Sequence, residues 1–194
     1  MFLADPPLDA TVQALYDHDL ADRGWVMNLT RAWAWRPELF EAFVAARTAA
    51  TSGSGLTDRD VAVLVAATAS ARGDSYCSLA WGAKLAGLSS SEAAAGVLGG
   101  ASPAELTERE HALADWARHA VTDPSTTTDE EVERLRAAGL DDRDILSATV
   151  FLALRLAFST VNAALGVPPD QQLLDDAPPA VAEVVAYGRA PRSS

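Results

Sequence analysis

Leu56-Thr57-Asp58-Arg59-Asp60 leads into the apolar run Val61 to Ala69 and turns at Gly73. The chain restarts as Asp74-Ser75-Tyr76-Cys77-Ser78-Leu79-Ala80-Trp81-Gly82, ahead of Ala86-Gly87-Leu88-Ser89. The order of residue types predicts helix, tight turn, helix. Thr57 suits an N-cap, and Asp58 and Asp60 fall in a first turn, where the helix dipole favours anions. Gly73 closes the first helix and Asp74 caps the second, which is predicted to run to about Leu85 and stop at Gly87. Cys77 then falls at the third helical position, inside the first turn.

Outward from this pair, helix signals recur along the whole chain. Leu8 to Leu20 predicts a first helix. Arg36-Pro37-Glu38 puts proline at a first helical position, with Leu39, Phe40, Phe43 and Val44 on one face. Thr51 to Gly55 is a loop, and Ser89 to Leu98 a short helix. Thr107-Glu108-Arg109-Glu110 is a capping box. Thr128-Asp129-Glu130-Glu131 opens a helix that Gly139 closes. Asp141-Asp142 begins a long apolar helix ending near Gly166, and Pro178-Pro179 precedes a last short one. About nine helices and no convincing strand predict an all-α bundle, a single domain over residues 1–194, with Arg189 to Ser194 as a loose tail. Leu56 to Asp60 and Leu106 to Glu110 share a pattern, read either as reuse of a good capping sequence or as an internal repeat.

Composition narrows the function classes. The 194 residues carry 15 Lys and Arg against 27 Asp and Glu, a net charge of −12. Such a chain repels phosphate backbones and anionic lipid, so neither nucleic acid nor membrane is an expected partner. Met1 to Pro7 lacks the basic start and long apolar run of a signal peptide. Arg155, Ser159, Thr160 and Asn162 interrupt the apolar stretch from Thr149 to Leu165, which favours a core helix over a membrane span. One cysteine cannot form an internal disulfide, which fits a reducing cytoplasm.

The helix pair resembles the alkylhydroperoxidase D / carboxymuconolactone decarboxylase family, specifically its peroxidase-related branch. In that family an L-T-x-R segment leads into an apolar helix, a glycine turn, C-x-x-C-x-x-x-H and then A-G-L-S. Val26-Met27-Asn28-Leu29 with Arg36-Pro37-Glu38-Leu39 is similar to the branch's N-terminal signature. Leu135 to Asp141 and Ala164 to Val167 are similar to its later motifs. The resemblance covers roughly residues 20–170 and implies an AhpD-like helical bundle, a homo-oligomer and no cofactor. Here the redox motif is degenerate. Cys77 falls on the family's second, peroxide-meeting cysteine, Asp74 on its first cysteine, Trp81 on its histidine and Ala62 on its proton-relay glutamate. The dithiol–disulfide cycle that the resemblance would imply has no partner thiol in this chain.

Several residues carry two readings. Cys77 is either a reactive thiolate at a helix N-terminus or a small buried hydrophobe. Asp74 is a plain N-cap or a chemical group that opposes the thiolate; Tyr76 is a candidate hydroxyl donor beside the sulfur. Trp81 is core, cavity lining or a substrate-stacking ring. Arg155, Ser159 and Asn162 share one face of the long helix, and a buried arginine needs a partner. They are read as an internal ion pair, a subunit contact, or a polar wall for an acidic substrate. Trp25, Trp33 and Trp35 are read as core and oligomer contacts rather than a cofactor box. His18, His111 and His119 are remote in sequence. No metal-ligand cluster or phosphate loop is visible.

Three functions remain in play: a peroxidase-related oxidoreductase that reduces hydroperoxides with one cysteine and an external thiol reductant; a cofactor-free, non-redox enzyme of the decarboxylase type; and a non-catalytic ligand-binding oligomer. The candidate catalytic residues are Cys77, Asp74 and Tyr76, with Trp81 and Arg155 as candidate substrate binders.

Overall fold

The computed structural model describes residues 1–193. Its helices are α1 (Ala10–Arg23), α2 (Asn28–Trp33), α3 (Pro37–Thr51), α4 (Asp58–Ala71), α5 (Ser75–Leu88), α6 (Ser91–Leu98), α7 (Glu108–Thr122), α8 (Asp129–Ala137), α9 (Asp142–Ala164), α10 (Gln171–Asp175) and α11 (Pro179–Val184). Among the described residues there is no strand, only an isolated bridge between Asp170 and Arg192. The all-α expectation holds. The two helices beyond the expected nine are the short α2 and α10, whose N-cap residues make no side-chain cap bond and so leave no signature to read.

Helix α4 is the centre. It is apolar on every side, and all eight residues from Ala62 to Ala69 are buried, as a helix surrounded by neighbours requires. Helices α5, α6, α7 and α9 pack around it. Helix α3 lies outside α9, and α11 closes over α5 and α6. Thr57, Thr107 and Thr128 each form the complete capping box with the acid three residues on. The two look-alike segments clasp each other. Arg59 pairs with Glu110 at 2.5 Å, and Arg109 donates to Asp60 at 3.1 Å. Each arginine therefore neutralises the acid of the other helix's cap.

Some boundaries differ from expectation. Helix α1 starts later and ends later than Leu8 to Leu20, because Asp9 accepts from the amides of Thr11 and Val12 and Gly24 takes the left-handed cap. Helix α5 continues through Gly87 to Leu88 and ends where the Ser89 backbone leaves helical geometry. Helix α3 turns a different face inward. Leu39 and Val44 are exposed, while Phe40, Phe43 and Arg47 are half-buried. Along α9, Ile145, Ala148, Phe151, Leu152, Arg155 and Phe158 face inward, and Leu146, Val150, Ala153, Ala157 and Val161 are exposed. By length and composition α9 could cross a membrane. Its inward face, however, carries a buried Arg155, Ser159 and Asn162.

Candidate functional site

The site begins at the turn between α4 and α5. Gly73 adopts φ +63, a region open to glycine at little cost, and this lets the chain reverse. Asp74 follows as N-cap, its carboxylate accepting from the Cys77 amide at 3.1 Å. Cys77 thus occupies the first turn of α5, with its side chain directed at α9. There the Arg155 Nη2 donates to Cys77 Sγ at 3.2 Å and the Ser159 hydroxyl donates at 3.8 Å. The segment after α11 covers the start of α5. The Tyr187 hydroxyl donates to Ser78 Oγ, and Ser75 Oγ donates to the Arg189 carbonyl.

Cys77 is buried yet lines a cavity of about 220 Å³ together with Arg47, Tyr76, Trp81, Arg155 and Phe158. The Phe158 ring has Arg47 at 4.8 Å and Arg155 at 5.3 Å; Arg155 also lies 5.2 Å from the Trp81 ring. Among the described residues neither Arg47 nor Arg155 forms an ion pair. Two opposed effects act on the thiol. Burial pushes it up to about 12, Arg155 pulls it down, and the charge and hydrogen bond of Asp74 push it up again. Burial wins, so the resting sulfur is a protonated thiol, not the thiolate expected from a helix N-terminus alone. The same desolvation, with Arg155 adding repulsion, draws Arg47 down to about 10, which leaves it charged at neutral pH.

Solved structures share this architecture. An uncharacterized peroxidase-related protein from Ralstonia eutropha JMP134, described as an alkylhydroperoxidase AhpD core, superposes with TM-score 0.74 and 24% identity over 98% of this chain and 97% of its own. A peroxidase-related protein from Silicibacter sp. TM1040 gives 0.78 and 23% over 89% and 93%. The chain has the AhpD-like fold. The debrominase Bmp8, as a cysteine-to-alanine variant in complex with 2,3,4-tribromopyrrole, gives 0.73 and 14% over 95% and 98%. No family model and no curated protein matches the chain.

Within the AhpD-like fold the expected residues divide. Cys77, Trp81 and Arg155 meet at the cavity, with Ser159 on the sulfur. Asp74 sits behind the sulfur as its N-cap, away from the cavity wall. Tyr76 reaches the cavity, but its hydroxyl donates to Asp170, so it is not a donor beside the sulfur. Asn162, third of the expected polar face, accepts from the Trp33 indole at 2.8 Å instead. Arg155 lacks the carboxylate expected of an internal ion pair. The tail is tied rather than loose over Arg189 to Arg192, because Arg192 exchanges backbone hydrogen bonds with Pro169 and Gln171; Ser194 lies outside the described residues. Arg47 and Phe158 went unread in the sequence. The signal for Arg47 was the Phe40-Phe43-Arg47 spacing of three and four, which places a cation on an aromatic stripe.

Proposed function

We propose that this protein is a single-cysteine peroxidase of the AhpD-like fold, reducing a small hydroperoxide at Cys77. The observation that carries the reading is a lone sulfur at a cavity wall with a buried guanidinium 3.2 Å away. As the hydroperoxide enters, Cys77 loses its proton to solvent, and Arg155 takes up the charge on sulfur. The sulfur attacks the terminal peroxide oxygen, the O–O bond breaks, and the alkoxide is protonated to the alcohol. Cys77 is left as sulfenic acid. An external thiol then forms a mixed disulfide with loss of water, and a second thiol releases Cys77 and a reductant disulfide. The proposed setting is the cytoplasm, where such thiols are abundant.

Turnover tests this reading. Dilute cumene hydroperoxide with dithiothreitol should be consumed by the native protein, with the rate falling at least about 100-fold in Cys77→Ser, since sulfur alone carries the nucleophilic step. Equal consumption by both proteins would refute it. The debrominase of the same fold supports a second reading. An aromatic-walled cavity also suits thiol attack on a bromoarene's halogen, with two thiols supplying the electrons and bromide and the debrominated arene as products. Bromide release from 2,3,4-tribromopyrrole, in the absence of peroxide turnover, would select it.

We also propose that the chain self-associates. The exposed stripe Leu146, Val150, Ala153, Ala157 and Val161 lies beside an α3 with no buried residue, and apolar faces of this kind mark interfaces.

A further inference from the structure

The cavity holds more positive charge than the chemistry of one sulfur needs. Arg155 is buried to 4% exposure, and among the described residues its Nε has no hydrogen-bond partner. The Nε of Arg47 is likewise buried and unpartnered. Both guanidinium carbons lie over the same Phe158 ring, which sets them within about 10 Å of each other. Among the described residues no carboxylate lines the cavity. In a chain of net charge −12, acids are abundant, yet among the described residues none pairs with these two arginines. Burying like charges without a counter-ion is costly, and an entering anion would relieve that cost with charge-assisted hydrogen bonds. A third arginine, Arg23, also lines the cavity but pairs with Asp22, while Phe40, Trp81, Phe158 and Leu173 supply walls that accept an apolar body.

We infer that the substrate is a small acid, an apolar body bearing one carboxylate, which Arg47 and Arg155 hold while its reactive atom meets Cys77. The inference rests on the cavity being the active site proposed above. Arg47, on the outer helix α3, is the specificity-determining residue. Arg155 serves both the acid and the sulfur.

Binding separates this claim from the chemistry. In the Cys77→Ser protein, which cannot react, benzoate and phenylacetate are titrated calorimetrically against benzamide and phenylacetamide, the neutral shape mimics. The acids should bind at least about tenfold tighter than the amides. Arg47→Gln, a half-exposed change whose fold is checked by circular dichroism, should reduce that preference to less than about threefold. Arg47→Lys should recover only part of it, since a lysine offers no planar fork. Equal affinity for acid and amide, absence of acid binding, or a preference untouched by Arg47→Gln would each overturn the inference. Peroxide turnover without acid preference would leave the peroxidase reading standing with a neutral substrate. Acid preference without turnover would leave the anion site standing with other chemistry.

Discussion

At the residue scale the account turns on a contest over one proton. Cys77 keeps its hydrogen because burial outweighs Arg155, with Asp74 adding to burial. The rate of Cys77 alkylation by iodoacetamide should therefore climb about tenfold per pH unit from pH 7 towards 11, without the plateau near 8.5 of an ordinary thiol. Asp74→Asn should speed alkylation at fixed pH by removing a charge that holds the proton, and Arg155→Gln should slow it. Folding carries the same signature. Well below about pH 8.5 the thiol is protonated folded and unfolded alike. Between about pH 8.5 and about 12 only the unfolded chain releases the proton, so the native state loses up to about 1.4 kcal/mol per pH unit relative to Cys77→Ala. A profile that levels off near pH 8.5 would show that the sulfur is not held as described. The position of Cys77 and its cap could be read from sequence, because a cap is a local pattern. The protonation state could not, because desolvation comes from α9 and α3, which the chain brings in from far away.

At the element scale the pair α4–α5 fixes the sulfur, and two glycines of α5 show how. A Cβ on Gly82 would meet Leu98 at 2.7 Å and Val181 at 2.8 Å, so α6 and α11 approach the helix through that gap. A Cβ on Gly87 would meet nothing within 4 Å. Gly82→Ala should cost about 1–3 kcal/mol in chemical denaturation. Gly87→Ala should be neutral or stabilise by about 0.5–1 kcal/mol, since alanine favours a helix interior. The reverse order would mean that α5 ends at Gly87 after all. The sequence runs the helix through Gly82 and stops it at Gly87; only the neighbours distinguish close approach from idle space. The threonine caps were legible for the opposite reason, being complete within four residues. Helix α3 shows the limit of periodicity. Its apolar residues fit more than one face, and the face holding Arg47 is chosen by α9 and Phe158.

For the whole molecule, the AhpD-like bundle surrounds α4 and leaves the outer faces of α3 and α9 partly apolar. Light scattering at micromolar concentration should give a multiple of 20.4 kDa; the monomer mass would contradict self-association. That the chain is all-α and AhpD-like could be read from caps and motif order. Its cationic cavity could not, since Arg47 and Arg155 lie more than a hundred residues apart. The most direct measurement of the central claim is the rate at which Cys77 becomes sulfenic acid. The native protein is exposed to dilute hydroperoxide at pH 7.5, trapped with a dione reagent and read by intact mass, beside N-acetylcysteine. A single adduct on Cys77, formed at least about tenfold faster than on the free thiol because the cavity positions the peroxide against Arg155, is the predicted result. Oxidation no faster than that of N-acetylcysteine, or a sulfur that reacts only after unfolding, would contradict it.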